Sequence, residues 1–304
     1  MVELLFNFLI FPGFLFSAVF GLIAGWVDRK VTARIQWRVG PPWYQNFVDF
    51  LKLMGKEVIL PRSNKLTFLF APFFGLIAVS LVVTIIGKLL INPADSFLGD
   101  LIVVLYLLII PAIAIILGAS SSGNPLASVG VSREMKLVLA YELPFILAII
   151  SVIIKTGNAI RLGQIVTYQV TNGAVLGSVS GWLAFIAAIL CMQAKLGLVP
   201  FDASEAEQEI MGGVFIEYSG FPLAMFKLMK SMLLYVMPLF LITLFWPGNI
   251  NILSLIGKYV LLLVIIILIK NTNPRLRIDQ ALRFFWGPVT ALSVIAVILA
   301  LLGM

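Results

Sequence analysis

The sequence has 304 residues, 61% of them hydrophobic and only 12% charged, with a formal net charge of +7 and a mean hydropathy of +1.10. Ordinary soluble domains are about 25% charged, so this composition excludes one and indicates an all-α polytopic membrane protein. With no His and a single Cys, Cys191, the chain offers neither the four cysteines of an iron–sulfur cluster nor the usual ligands of haem or zinc, so no cofactor is expected in it and an internal disulfide is excluded.

Phe6 to Trp26 is the first expected span; Glu3 precedes it, without a basic n-region or a small-residue cleavage motif, so it does not read as a cleaved signal peptide. A basic loop follows with Arg29, Lys30, Arg34, Arg38, Lys52, Lys56, Arg62 and Lys65. Within it, Gly40-Pro41-Pro42 predicts a rigid, extended break, because a residue before proline is pushed out of the α region. Trp43 to Val58 then predicts an amphipathic interfacial helix. Its apolar face is Phe47, Phe50, Leu51, Met54 and Val58, and Gln45, Asn46, Asp49, Lys52, Lys56 and Glu57 are polar. Simple anchoring is the reading physics favours for such a helix, and Arg34 and Arg38, four apart, suit lipid phosphate or a soluble partner's carboxylates alike.

Further spans are expected at 67–88, 101–119, 137–154, 181–199, 221–246, 250–270 and 285–303, about eight in all, each near the ~20 residues a bilayer requires. The seventh is the apolar run 258–270 extended upstream. Basic residues in the odd-numbered loops (the eight above, Arg133, Lys136, Lys270, Arg275, Arg277 and Arg283) outnumber Lys88, Lys155, Arg161 and Lys258 on the other side. The positive-inside rule therefore predicts cytoplasmic odd-numbered loops and both termini outside. The basic excess thus reports topology and not nucleic-acid binding.

Ionisable residues inside spans are functional candidates by default. Glu142, in MKLVLAYELPFILAII, follows Tyr141 and precedes Pro144, whose missing amide is expected to free a carbonyl near position 140. It reads either as a proton relay or as a protonated, hydrogen-bonded structural glutamic acid. Lys195, Lys227 and Lys230 either snorkel or pair with the acidic stretch beside them, and snorkelling is the simpler reading for Lys230.

That stretch, PFDASEAEQEIMGGVFIEYSG from Pro200 to Gly220, carries Asp202, Glu205, Glu207, Glu209 and Glu217 between two apolar runs. Asp202 and Glu205 predict an N-cap and its partner three residues on. A helix from there would align Asp202, Glu205 and Glu209 on one stripe, with Glu207 opposite. Two carboxylates about 6 Å apart at an effective dielectric of about 20 repel by roughly 3 kcal/mol, about 2 pKa units, so the stripe is expected to titrate as a coupled set able to hold and pass protons. A capped, solvated acidic loop is the bland alternative.

Four motifs, DRKVTARIQWRVGP, FLKLMGKEVILP, SREMKLVLAYELPF and PFDASEAEQEIMGGVFIEYSG, resemble the subunit 1 family of respiratory complex I and its counterparts in energy-converting membrane-bound hydrogenases. The resemblance covers the whole chain. It implies a non-catalytic subunit of about eight transmembrane helices, docked under a soluble redox arm in a prokaryotic cell membrane, with antiporter-like membrane subunits beside it. It also implies proton transfer by Glu142, Lys195, Asp202, Glu205, Glu207, Glu209 and Glu217. Docking of hydrogenase-like and iron–sulfur subunits, which would carry the nickel–iron and iron–sulfur centres, falls to Arg34, Arg38, Gly40, Pro41, Pro42 and Trp43. Quinone-reducing members have a longer, Gly-rich segment where this chain runs Pro42-Trp43-Tyr44-Gln45, so GPPWYQ resembles the hydrogenase branch and no quinone is expected. A quinone-site subunit, a passive anchor and an independent secondary transporter are the alternatives, though no inverted repeat of the transporter kind is found.

Overall fold

The computed structural model describes residues 2–61, 63–248 and 251–303, apart from the side chains of Val2 and Glu207. Arg62 and Ile250, the latter heading the expected seventh span, lie outside the described residues. The chain is helical throughout, with no strand among the described residues. In order the helices are α1 (Val2–Leu9), α2 (Phe14–Ile35), α3 (Gln45–Met54), α4 (Lys65–Ile91), α5 (Asp100–Leu107), α6 (Ile110–Ser120), α7 (Pro125–Lys155), α8 (Leu162–Asn172), α9 (Val179–Lys195), α10 (Glu207–Ile210), α11 (Gly220–Phe245), α12 (Ile252–Thr272), α13 (Ile278–Phe284) and α14 (Thr290–Leu301). Among the described residues seven helical segments are long and apolar enough to cross a membrane, and α9, at 17 residues, is a shorter apolar eighth.

Local chemistry sets the ends. Asn64 caps α4 by accepting from Thr67 N, and Asn124 caps α7 by accepting from Leu126 N, with Pro125 at the first helical position. Polar side chains inside spans are satisfied within their own helix: Ser80 donates to Leu76 O and Thr84 to Ser80 O. The most buried span, α11, packs against α2, α4 and α12. A side chain at Gly21 of α2 would meet Ser231 O of α11 at 2.6 Å, so the close approach of these two helices requires glycine.

Several expected boundaries are corrected. The first span is broken at residues 10–13, and α2 runs on to Ile35, so Asp28, Arg29, Lys30 and Arg34 are helical and not in a loop. The amphipathic helix stops at Met54; residues 56–59 instead lie along 219–220, where Ile59 N donates to Ser219 Oγ and Ser219 Oγ to Glu57 O. Phe47 and Phe50 pack inward while Leu51 stays exposed. The fifth span ends at Lys195 and not at 199, because Gly197 turns the chain at positive φ. Helix α8 was not expected. Pro144 does not interrupt α7, which is continuous over 31 residues. Pro288 is accommodated by a π-helical turn, Phe285–Val289, in which Thr290 Oγ1 donates to Phe285 O.

The expected helix from Asp202 is absent. Residues 202–206 form turns, and only Glu207–Ile210 are α-helical before Met211 takes a left-handed conformation. Side-chain partners on surrounding segments, Arg133 of α7, Lys230 of α11 and Arg275 of the loop after α12, outcompete the short helix.

Candidate functional site

The connecting segments 36–61, 121–124, 196–219 and 273–277 gather at one end of the bundle, and six ion pairs among the described residues lie at or just below that end. The acidic stretch is at their centre. Its carboxylates do not form one stripe: each is held by a different element. Asp202 pairs with Arg275 at 2.9 Å, and the backbone beside it is fixed by Leu276 N donating to Pro200 O. Glu205 pairs with Lys230 of α11. Glu209 pairs at 2.6 Å with Arg133 of α7, which also donates to Ala203 O. Glu217 accepts from Asn124 Nδ2 at 2.6 Å. The backbone of Glu207 lies in α10, and its side chain is outside the described residues.

Below this layer, Lys195 of α9 pairs with Glu142 of α7. The lysine side chain is only 4% exposed and the glutamate 15%. The Lys195 ammonium also sits 5.2 Å from the centre of the Tyr141 ring and 5.0 Å from that of Phe145. Lys195 therefore does not snorkel or join the acidic stretch. Lys230, for which snorkelling was the simpler expectation, turns inward to Glu205, and Lys227 lies near Asp49.

A small cavity of about 20 Å³ lies between the half-buried Glu205–Lys230 pair and Lys195, lined by Glu134, Tyr141, Lys195, Glu205 and Lys230. That is room for one water. Glu134 is the member that sequence reasoning missed. It is half-buried, bonded to Ser204, and close to both Glu205 and Lys230. The signal was available: Glu134 lies seven residues before Tyr141, two turns along the same face of α7. One ammonium, Lys230, thus faces two carboxylates, Glu134 and Glu205. On the far side, Glu142 borders the exposed flank of α7 formed by Leu139, Leu143 and Ile146.

The expected docking residues form a separate surface. Gly40 has φ +74°, and a Cβ there would come within 3.0 Å of Ala33 Cβ and Lys30 Cδ, so the turn requires glycine. Pro41 O accepts from Trp26 Nε1 at 3.2 Å, anchoring the turn to α2. Around it Arg38 and Trp43 are exposed, Arg34 and Pro42 stand beside them at the surface, neither arginine has an ion-pair partner among the described residues, and Trp37 is 99% exposed.

Between the two regions lies a cavity of about 280 Å³ beneath α3, lined by apolar residues that include Leu22, Phe50, Leu53 and Leu228 and by Asp28, Arg29, Asp49 and Lys227. Asp28 pairs with Lys270 at 2.6 Å and leaves its buried Oδ1 without a partner. Arg29 pairs with Asp49 at 2.9 Å. Burial pushes the Asp49 carboxyl up, but hydrogen bonds from Arg29 and Gln45, with the Arg29 charge, hold it below its ordinary value. Among the described residues no group of three metal-ligating side chains gathers.

The family model for NADH dehydrogenase matches residues 7–301. An NADH-quinone oxidoreductase subunit of Dehalococcoides mccartyi strain CBDB1 is 31% identical, with 96% of this chain and 84% of that protein covered. The equivalent subunit of Thermomicrobium roseum is also 31% identical, covering 92% and 91%. Among solved structures, a chain of the membrane-bound sulfane sulfur reductase, an archaeal respiratory membrane complex, superposes with a TM-score of 0.87 at 33% identity, covering 99% of this chain and all of that one.

Proposed function

The chain belongs to the NADH dehydrogenase family, as a membrane subunit of the complex I subunit 1 type found in respiratory complexes, and from that premise we propose that it docks a soluble redox arm and passes protons through the membrane beneath it. The observation that carries this reading is the run Glu205–Lys230, Glu134, the one-water cavity, Lys195–Glu142. It leads from the loop that would face the arm to the flank of α7 that would face antiporter-like membrane subunits.

A proton arriving on Glu205 cancels its attraction for Lys230 and leaves that ammonium to Glu134. The added positive charge then acts against the Lys195 ammonium, which passes a proton to Glu142 and regains one from Glu205 through the water of the cavity, and the proton on Glu142 leaves along the exposed flank of α7. Each step changes one charge next to a pair in a low-dielectric setting, where such a change is worth several kcal/mol. Asp202–Arg275 and Glu209–Arg133 hold the loop over this run. In this reading the ion-paired end is cytoplasmic, both termini lie outside in a prokaryotic membrane, and Arg34, Trp37, Arg38 and Trp43 receive the hydrogenase-like and iron–sulfur subunits with their nickel–iron and iron–sulfur centres.

Coverage supports the hydrogenase-type branch: the chain spans the whole of the sulfane sulfur reductase chain but 84% and 91% of the two quinone oxidoreductase subunits. The cavity beneath α3 favours a second reading, in which its mixed apolar and charged lining takes a quinone. The test of the first reading is a pH gradient across vesicles during electron transfer: Glu142→Gln should keep assembly and abolish most of the gradient, and a wild-type gradient would end it. Quinone recovered at about one per complex, or potent inhibition by quinone-site compounds, would establish the second.

A further inference from the structure

A further cavity at the ion-paired end, of about 350 Å³, lies between the acidic stretch, Arg133 of α7 and the segment that leads into α13. Its walls are charged but balanced: Arg133, Arg275 and Arg277 are matched by Asp202, Glu209 and Asp279. Glu209, Arg277 and Asp279 are exposed, so the cavity opens to solvent, and polar walls around such a volume hold a cluster of waters. Two chain segments separate this vestibule from the one-water cavity, and each puts close neighbours in sequence on opposite sides. In the acidic stretch, Ala203 and Ala206 line the vestibule while Glu205 lines the inner cavity. On α7, Arg133 lines the vestibule and Glu134 the inner cavity. The partition is thus a single layer of chain. Ser204 stands in it, only 3% exposed, between two residues that line the vestibule, and its side chain is hydrogen-bonded to Glu134.

We propose that protons enter the run from solvent through this vestibule, by way of Ser204 and Glu134. The inference rests on the proton-transfer reading and adds to it the source of the protons. A hydronium ion in the vestibule gives one proton to Ser204 Oγ and becomes water. The serine O–H bond directed at Glu134 breaks, its proton goes to the Glu134 carboxylate, and the side chain is left as a hydroxyl once more. Glu134 then passes the proton through the cavity water to Glu205, with which it shares Lys230. The cavity beneath α3 also touches the run, but it does so through Lys230, which lines both it and the one-water cavity. A hydronium ion from that side meets an ammonium and is repelled. From the vestibule it meets a hydroxyl already bonded to a carboxylate, beside an Arg133 whose charge Glu209 offsets.

The experiment uses the whole complex in vesicles with the ion-paired end outward, and reads the initial rate of gradient formation during electron transfer. Asp279→Cys puts a thiol at the mouth of the vestibule, and the native Cys191 is buried. The assembled variant is treated with the cationic trimethylammonioethyl or the anionic sulfonatoethyl methanethiosulfonate. The cationic adduct should lower the rate severalfold and the anionic adduct much less, because a fixed positive charge at an entrance repels incoming protons. Dithiothreitol should restore the rate. Ser204→Ala should lower the rate severalfold and raise its solvent deuterium isotope effect, and Ser204→Thr, which keeps the hydroxyl, should restore both. A cationic adduct as fast as the unmodified variant, a thiol that does not react in the assembled complex, or an unchanged rate in Ser204→Ala each overturns the proposal. So does slowing by the cationic adduct at Leu53→Cys, in the cavity beneath α3, with none at Asp279→Cys, which would place the entrance there. Glu142→Gln, measured alongside, separates the two levels: a wild-type gradient in that variant ends the proton-transfer reading itself, whereas its loss beside a silent vestibule adduct ends only this entrance.

Discussion

The run of acid–base pairs between Glu205 and Glu142 and the surface formed by residues 34–43 lie at the same end of the molecule but treat charge in opposite ways. In the run, each described side chain has found its partner inside the chain: Glu205 has Lys230, Glu142 has Lys195, Glu134 has Ser204. On the surface, Arg34 and Arg38 have no ion-pair partner among the described residues and two tryptophans, Trp37 and Trp43, stand in the open. Removing a charge from water is costly unless a partner is near, so the interior must be complete before anything binds. A free guanidinium beside an exposed aromatic costs little in water, and Arg and Trp are residue types enriched in interfaces, which is why the proposed function gives this surface to a partner. The first region can therefore be broken from within, and the second only by testing what binds it.

The largest expected effect lies in the interior. Lys195→Met leaves Glu142 buried without its cation and should destabilise the chain by about 3–5 kcal/mol, with loss of the coupled gradient. Adding Glu142→Gln to it should restore most of the stability but none of the gradient. Thermal denaturation of the purified complex, with gradient formation in vesicles, reads both quantities; equal stability of the Lys195→Met protein and the wild type would mean the pair is solvated.

Coupling within the run sharpens the comparison further. The sequence suggested non-additive effects among Asp202, Glu205 and Glu209, but each now has its own basic partner. Substitutions to Gln or Asn at those three should combine within about 0.5 kcal/mol of additivity. Glu134→Gln with Glu205→Gln should depart from additivity by more than that, because both acids share Lys230. The pH dependence of transport in single and double variants decides it, and additivity of the Glu134–Glu205 pair would remove Glu134 from the run.

On the surface, Trp37→Ala should weaken retention of the soluble arm by roughly 2 kcal/mol or more, about thirtyfold, and Arg34→Ala or Arg38→Ala somewhat less. The stability of the chain itself should move by no more than about 0.5 kcal/mol. Co-purification and titration of the arm against the membrane part measure the first, and denaturation the second. A surface variant that unfolds the chain while binding normally would erase the distinction between the two regions.

The smallest effect falls on Asp49, at the border of the two regions. Its folded-state carboxyl is held below the ordinary value, so its bond to Arg29 contributes at neutral pH and is lost only as pH falls through that lowered value. Wild type and Asp49→Asn should therefore differ slightly in stability near neutrality and converge in acid. Convergence as pH rises would show that the sign is wrong.

How much of this was legible depended on the range of the forces involved. Spans are set by composition along the chain, and the apolar runs at 67–88 and 221–246 foretold α4 and α11 to within a few residues. Gly40-Pro41-Pro42 announced a break because proline acts on its immediate neighbour. The acidic stretch stood out in the sequence by its charge, but its conformation was not legible there. The helix expected from Asp202 loses to contacts with Arg133, Lys230 and Arg275, which are tens of residues away in the chain. Glu134 escaped notice because the sequence places it in the basic loop with Arg133 and Lys136, before the span expected at 137, and only the arrival of Ser204 and Lys230 from other segments brings it to the cavity. The pairing of Lys195 with Glu142 likewise lies outside local periodicity, although each residue stands out in its own span.

Helix α7 adds an electrical dimension. Glu134 and Glu142 are eight residues apart on it, about 12 Å along the axis. A unit charge moved through that rise crosses at most about 0.4 of a hydrocarbon core some 30 Å thick. With about 2.3 kcal/mol per charge for every 100 mV across the whole membrane, the step does roughly 0.9 kcal/mol of work with or against the field per 100 mV. If protons pass along the proposed run, the part of the path spanned by Glu134 and Glu142 would be voltage-sensitive, and transport should respond to membrane potential even at constant pH on both sides.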